Sequence, residues 1–274
     1  MVLAALACSG PDHPSRAECE RIGSGGHTAR PGLVVLRGSR LGAVAKLDPG
    51  NPASCSDPGR AALFLRAHAL LATVPEALRP ARVTIHASPT VGAPNAPVAG
   101  LEYHRESASL LVSAAAVDME RTVWLHELGH LRAATRLPQA EPAQSVLAAL
   151  DEGVADYYAA VTAGRPRLGG AHAGAERDLA APPAARADDW ARLALPGGLD
   201  VHRMGWRFAG LAWQAEPREG ALVRFLLACM GDLRALSGAG PGPVARAWLE
   251  GCPEAGRARV EPLLRAWMPE LLGD

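Results

Sequence analysis

The stretch Trp124-Leu125-His126-Glu127-Leu128-Gly129-His130 contains the pattern that decides the fold of this chain. Apolar residues recur at helical spacing around it, so the sequence predicts one helix from Asp118 to about Arg136. Histidines four residues apart lie on one face of a helix, one turn from each other, and their ring nitrogens can converge on one cation. Glu127 follows the first histidine and is placed to take a proton from a metal-bound water.

The alternative for this stretch is a polar helix face with two solvated histidines. Leu125, Leu128 and Leu131 surround the motif and predict a mostly buried helix. Ionisable side chains are costly to bury in such a helix when nothing compensates their charge. The sequence therefore favours a metal site over a solvated face.

A second motif, Asp151-Glu152-Gly153-Val154-Ala155-Asp156, lies in a helix predicted from Ser145 to Ala163. Catalytic zinc sites take three protein ligands and keep one position open. If the two helices pack with their polar faces together, Glu152 can be the third ligand and Asp156 can accept a hydrogen bond from a ligand histidine. Gly129 and Gly153 are expected to let the two helices approach closely. The alternative is a solvated carboxylate face.

Together, the two motifs resemble those of the gluzincin metallopeptidases, the superfamily of the thermolysin-like and fungalysin-like enzymes. The resemblance implies one catalytic Zn²⁺ and no other cofactor. It implies that Glu127 is the general base and acid and that Asp156 orients a ligand, His126. The ligands implied are His126, His130 and Glu152.

A third segment, Gly197 to Gly205, is similar to the Val-His stretch downstream in those enzymes. The resemblance implies that His202 is catalytic and donates a hydrogen bond to the developing oxyanion, an effect worth about 3 kcal/mol of barrier. The alternative for His202 is an ordinary residue at the start of a helix.

The order of predicted elements indicates an α+β protein with two lobes. The resemblance implies a zincin-like fold, with a small mixed β-sheet and the active-site helix in the N-terminal lobe (32–137) and a mainly helical C-terminal lobe (138–274). Residues 1–31 are expected to be a signal remnant and tether that precedes the catalytic domain (32–274). The other predicted elements are strands at 33–37, 43–47 and 82–86, a hairpin with arms 101–103 and 109–113, a helix from Asp57, a loop over 165–199, and helices at 202–216, 219–236, 242–250 and 258–272.

Composition excludes several classes of protein. The chain has 274 residues, of which 49% are hydrophobic and 20% charged, so it can bury a core and is not intrinsically disordered. Lys and Arg number 28, as do Asp and Glu, and this zero net charge argues against a nucleic-acid partner. No stretch has the roughly 18 apolar residues of a transmembrane helix.

The N-terminus and the cysteines point to the cell envelope. Met1 to Ala7 is apolar and runs into Cys8, which resembles the end of a bacterial lipoprotein signal and implies a lipid anchor at Cys8. The alternative is an apolar terminus without a lipid. The pairings Cys19–Cys55 and Cys229–Cys252 would suit a periplasmic or extracellular location, against the alternative of free thiols in a cytosolic protein.

These features predict a zinc-dependent peptidase that hydrolyses a peptide or protein substrate. One alternative is a non-catalytic zincin-fold binding protein of the cell envelope. The other is a structural helical protein in which the histidine motif is accidental. Zinc content and peptide cleavage would distinguish the three.

Overall fold

The computed structural model divides the chain into two compact units, one of residues 1–74 and 80–119 and the other of residues 75–79 and 120–274. The structure describes residues 33–34, 69–71, 73–78, 80, 83–87, 101–104, 109–112, 119–133, 137, 145–169, 176–186, 188–193, 201–217, 221–230 and 233–268.

The first unit contains a small mixed sheet, as predicted. Its strands are β1 (Leu33–Val34), β2 (Val83–Ala87), β3 (Leu101–His104) and β4 (Ser109–Val112). They run in the order β1-β2-β4-β3; β2 is parallel to both β1 and β4, whereas β3 and β4 form the predicted antiparallel hairpin. The strand expected at 43–47 lies outside the described residues.

The second unit is mostly helical. It also contains a two-stranded antiparallel sheet of β5 (Arg167–Leu168) and β6 (Arg177–Asp178). With the first sheet, it gives the described residues an α+β content. The helices are α1 (Arg121–Ala133), α2 (Val146–Ala163), α3 (Asp189–Leu193), α4 (Val201–Ala215), α5 (Ala221–Cys229), α6 (Pro241–Gly251) and α7 (Glu254–Trp267), with short 3-10 turns at Glu76–Leu78 and Arg234–Leu236.

Helix α2 is the central element of this unit. Ser145 caps its start by accepting a hydrogen bond from the backbone N–H of Ala148 (3.0 Å), and Gly164 ends it in the left-handed conformation, at φ 70°. Nearly every side chain along the helix is buried, because α1 packs on one side and α4 on another. An apolar helix without a solvated face is stable only in such surroundings.

Gly129 and Gly153 both lie where two helices cross closely, but only Gly129 lies at the crossing of α1 with α2 that the sequence predicted. A Cβ on Gly129 would lie 2.7 Å from the Cα of Ala155, so Gly129 lets α1 approach α2 as predicted. The partner predicted for Gly153 is wrong, since its Cβ would meet Phe208 Cδ1 at 2.8 Å and the carbonyl oxygen of Gly205 at 2.9 Å, both on α4. Two residues rotate about 200° around a helix, so Gly153 and Ala155 lie on opposite sides of α2.

Two segments differ from expectation. Helix α1 belongs to the same compact unit as the later helices. The segment 165–199, expected to be a loop, contains β5, β6 and α3, which are too short to produce a periodic pattern. The helix expected over 219–236 ends at Cys229.

Aromatic side chains and a disulfide hold the C-terminal helices together. The ring of Phe208 packs against Trp248 and Trp267 at centroid distances of 5.6 and 5.0 Å. Cys229 and Cys252, at the ends of α5 and α6, form the expected disulfide, whereas Cys19 and Cys55 lie outside the described residues. Within the described part of the chain, no helix is long and apolar enough to cross a membrane.

Candidate metal centre

Helices α1 and α2 bring three potential metal ligands together. His126 Nε2 lies 3.0 Å from His130 Nε2 and 3.3 Å from Glu152 Oε2, and His130 Nε2 lies 3.6 Å from Glu152 Oε1. Both imidazoles are buried and Glu152 is partly exposed. Among the described residues, these three form a group that could hold a metal ion.

The spacing of these atoms fits one small cation. Ligand atoms about 2.1 Å from a tetrahedral metal are roughly 3.4 Å from one another. The two Nε2 atoms are 3.0 Å apart, and each lies 3.3–3.6 Å from a different oxygen of the Glu152 carboxylate. His126 Nδ1 and His130 Nδ1 lie 2.8 and 3.0 Å from carboxylate oxygens, which favours neutral rings that carry the proton on Nδ1 and point the Nε2 lone pairs at each other. Two lone pairs and a carboxylate that converge at this distance require a cation or protons between them. Glu152 Oε2 is buried, and it faces His126 Nε2 at 3.3 Å.

Asp156 holds the ring of His126. Its Oδ1 atom lies 2.8 Å from His126 Nδ1, and the carboxylate is fully buried on α2. The contact fixes the orientation and the tautomer of the imidazole and leaves Nε2 to face Glu152. This is the contact between these two side chains that the sequence predicted.

Asp151 plays the corresponding part for His130. Its Oδ2 atom lies 3.0 Å from His130 Nδ1, and the side chain is buried. Its role was not predicted from the sequence, although Asp151 directly precedes Glu152. One signal was available, because a second acidic residue about a turn before Asp156 can face the second histidine if α1 and α2 run in opposite directions.

Arg177 is a second residue whose role was not predicted from the sequence. Its guanidinium lies 3.0 Å from Oδ1 of Asp156, the oxygen that also contacts His126. Arg177 stands on β6, in the segment expected to be a loop, and its separation from Asp156 along the chain leaves no pattern to detect. The guanidinium partly balances a carboxylate that is costly to bury.

Electrostatics favour positive charge between the rings. Burial lowers the pKa of His126, but the charges and hydrogen bonds of Asp156 and Glu152 outweigh it and raise this pKa to about 10. Burial also opposes the shift at His130, where Asp151 and Glu152 raise the pKa of the ring. Burial disfavours the charged form of Glu152, but His130 and His126 bring its pKa well below the usual range. Without a metal, the cluster thus holds protons where a cation could bind.

The two predicted catalytic residues lie on different helices. Glu127 follows His126 on α1 and its side chain is partly exposed. His202 is in the first turn of α4, 51% exposed, with Nε2 3.5 Å from Glu152 Oε1. The structure therefore brings His202 to Glu152, although His202 is not a member of the three-residue group.

Comparisons of the chain with protein-family models, with curated proteins and with solved structures found no match. The chemistry of the cluster can still be stated. Two neutral imidazoles and one carboxylate form a donor set suited to zinc and to other borderline divalent metals. Glu127, which follows His126 in the sequence, and His202, which faces Glu152, are residue types that transfer or donate protons.

Proposed function

We propose that this protein is a zinc-dependent peptidase of the gluzincin type. The observation that carries the proposal is the convergence of one ring nitrogen from each of His126 and His130 with one Glu152 oxygen, all within 4.8 Å of one another. The three atoms lie in a cluster whose two imidazoles each contact an aspartate. A zincin-like fold with the sheet and the helices as two lobes is part of the same proposal.

Zinc fits the donor set better than the hard cations do. Calcium and magnesium prefer six or more oxygen ligands, whereas two imidazoles and one carboxylate match a catalytic zinc site. Three protein ligands leave a fourth position for water or substrate. Bound zinc would polarise a peptide carbonyl and lower the pKa of water to about 7.

The side chains around the ion would then have three different roles. Asp156 and Asp151 hold the two imidazoles in the tautomer that presents Nε2 to the ion. Glu127 accepts a proton from the attacking water and passes it to the leaving amine. His202 donates a hydrogen bond to the oxygen of the tetrahedral intermediate.

We place the protein in the cell envelope, in a periplasmic or extracellular position and with a lipid anchor at Cys8. The Cys229–Cys252 disulfide supports an oxidising compartment, because cytosolic proteins rarely keep structural disulfides. Cys8 lies outside the described residues. The proposed partner is a peptide or protein substrate, and no nucleic acid is expected.

Zinc content and cleavage of a peptide library, measured on one preparation, test the proposal. We expect about one zinc per chain and cleavage that a chelator abolishes and added zinc restores. Glu127→Gln should keep the zinc and lower kcat about 10²–10⁴-fold, because it removes the proton acceptor and leaves the ligands in place. Glu250→Gln, on the exposed surface of α6, is the matched control and should cleave like the parent.

Each of the other outcomes favours a different function for this protein. Full zinc content without cleavage of any peptide would favour the non-catalytic binding protein. Less than a tenth of an equivalent of zinc, with no rebinding, would favour an accidental motif in a structural protein. A Glu127→Gln variant as active as its parent would remove Glu127 as the base.

A further inference from the structure

A second helix crossing lies directly beside the proposed third ligand. Gly205 of α4 contacts α2 so closely that a Cβ on it would lie 2.6 Å from Glu152 Cβ, 2.8 Å from the backbone nitrogen of Gly153 and 3.0 Å from the carbonyl oxygen of Ala149. All three atoms belong to the backbone of α2 or are bonded directly to it. None is the flexible end of a side chain that could rotate away.

The crossing is reciprocal. A Cβ on Gly153 would lie 2.9 Å from the carbonyl oxygen of Gly205. At each glycine, therefore, the backbone of the other helix occupies the space that a side chain would need. Phe208, one turn further along α4, covers Gly153 and is fully buried. Interiors packed at this density transmit a displacement instead of absorbing it.

The crossing also determines where His202 lies. Residues three apart share a helix face, so His202 stands one turn before Gly205 on the side of α4 that meets α2. Its Nε2 atom lies 3.5 Å from Glu152 Oε1. The contact between Gly205 and Glu152 therefore fixes the distance between the helix that bears His202 and the carboxylate that it faces.

We propose that Gly205 is a positioning residue, which holds Glu152 and His202 at the spacing that the metal site needs. This inference rests on the metal site of the proposed function. Glycine is required at position 205 because any Cβ would force α4 away from α2 or push Glu152 out of line with the two imidazoles. Gly129 does the same for the approach of α1 to α2, from the side of the histidines.

Gly210 provides a matched control on the same helix. A Cβ on Gly210 would lie 2.5 Å from Pro182 Cβ, so alanine is overpacked there as well. Five residues separate the two glycines, about 140° around the helix, and Gly210 meets the segment before α3. Gly205→Ala and Gly210→Ala should therefore both lower Tm, but only the first should disturb the metal site.

The test is Co²⁺ titration of the full chain, followed by its visible absorption spectrum, with peptide cleavage on the same samples. We expect Gly205→Ala to weaken Co²⁺ binding about 10–100-fold or to alter the spectrum of the bound ion, as loss of a supporting contact does. Its kcat should fall about 10²-fold, with KM little changed, because the reacting groups are misplaced while substrate contacts persist. Gly210→Ala should bind Co²⁺ and cleave like the parent.

Equal loss of Tm in both variants, with the parental Co²⁺ affinity and spectrum in each, would overturn the proposal, since Gly205 would then be structural alone. Where Gly205→Ala does not fold, Gly153→Ala opens the same crossing against the rotatable ring of Phe208 and should give the same change. If neither crossing variant folds while Gly210→Ala does, the crossing is a folding element and the proposal fails. A parent that binds Co²⁺ but cleaves no peptide removes the peptidase function and leaves the Co²⁺ comparison to decide the role of Gly205. A parent that binds no Co²⁺ removes both.

Discussion

Two groups of buried charges lie in the helical unit, and they differ in how the charge is balanced. Asp189 of α3 and Arg207 of α4 form a buried pair at 2.9 Å, one carboxylate with one guanidinium. The same Asp189 oxygen accepts a hydrogen bond from the backbone N–H of Arg186. This pair is neutral as it stands, and its role is to join α3 to α4.

The cluster between α1 and α2 is not balanced in this way. Its contacts among the described residues join His126 and His130 to Asp151, Glu152 and Asp156, with Arg177 on the last. Three carboxylates and one guanidinium leave two negative charges when both imidazoles are neutral. A divalent cation or two protons would neutralise them. The buried pair is balanced within the protein and joins two helices, whereas the cluster lacks two positive charges and could hold a divalent cation.

The largest effect should come from breaking the neutral pair. Arg207→Leu leaves the Asp189 carboxylate buried without its cation, and we expect a loss of about 3–5 kcal/mol in the free energy of unfolding, measured with urea. Zinc affinity should stay at the parental value. Asp189→Asn/Arg207→Leu is the control, which should recover part of the loss because no charge is left unpaired. A single variant that loses under about 1 kcal/mol would show that the pair is not needed.

Removal of the metal from the cluster between α1 and α2 should lower the free energy of unfolding by nearly the same amount. Zinc at a thousand times its dissociation constant stabilises a protein that binds it in the folded state alone by about 4 kcal/mol. Chelation should remove this increment from the parent and from Arg207→Leu equally. His130→Ala should show no increment, because one ligand is missing. A chelator that leaves Tm unchanged would count against a metal between α1 and α2.

Removal of one orienting carboxylate should have a smaller effect. Asp151→Asn and Asp156→Asn should each weaken zinc affinity about 10–100-fold, because the imidazoles lose the acceptors that hold their rings. Asp156→Asn should also lower stability, since Arg177 then faces a neutral amide. Asp188→Asn, on the exposed start of α3, is the control. An Asp151→Asn affinity within a factor of about two of the parent would remove Asp151 from the site.

The smallest effect should be a pH dependence of the metal-free protein. The pKa of His126 is raised from 6.5 to about 10, so the charged ring stabilises the fold fully below pH 6.5, and this contribution is lost as pH rises toward 10. Between pH 7 and 8, unfolding free energy of the metal-free chain should fall by at most about 1.4 kcal/mol from this ring. Zinc affinity should rise over the same interval, because the ion displaces the proton. His126→Gln should flatten both curves; a parent whose stability is level from pH 7 to 9 would contradict the prediction.

Much of the site could be predicted because helix periodicity fixes which residues share a face. His126 with His130, and Glu152 with Asp156, are each four residues apart, and that spacing already places each pair on one side of its helix. The same spacing does not tell how two helices are rotated or shifted against each other. The contact of Asp151 with His130 and the packing of Gly153 against α4 both depend on that rotation. For this reason the first was not predicted and the second was assigned to the wrong helix.

The short strands and the short helix were not predicted, for a different reason. Strands of two residues and a helix of five contain too few residues for a period, so β5, β6 and α3 were expected to be loop. These segments carry Arg177 and Asp189, the partners of two buried charges. Arg177 and Asp189, which neutralise buried charges in this unit, were therefore harder to predict than the charged residues that they contact.

The amino-acid sequence by itself determined the donor types, their spacing along α1 and α2, and the mixture of a small sheet with many helices, since all three follow from local geometry. The tertiary structure alone decided that Asp151 contacts His130, that Arg177 reaches Asp156, and that Gly205 packs α4 against Glu152. These depend on how helices pack, and packing is set by contacts between residues distant in the chain, which no local period records.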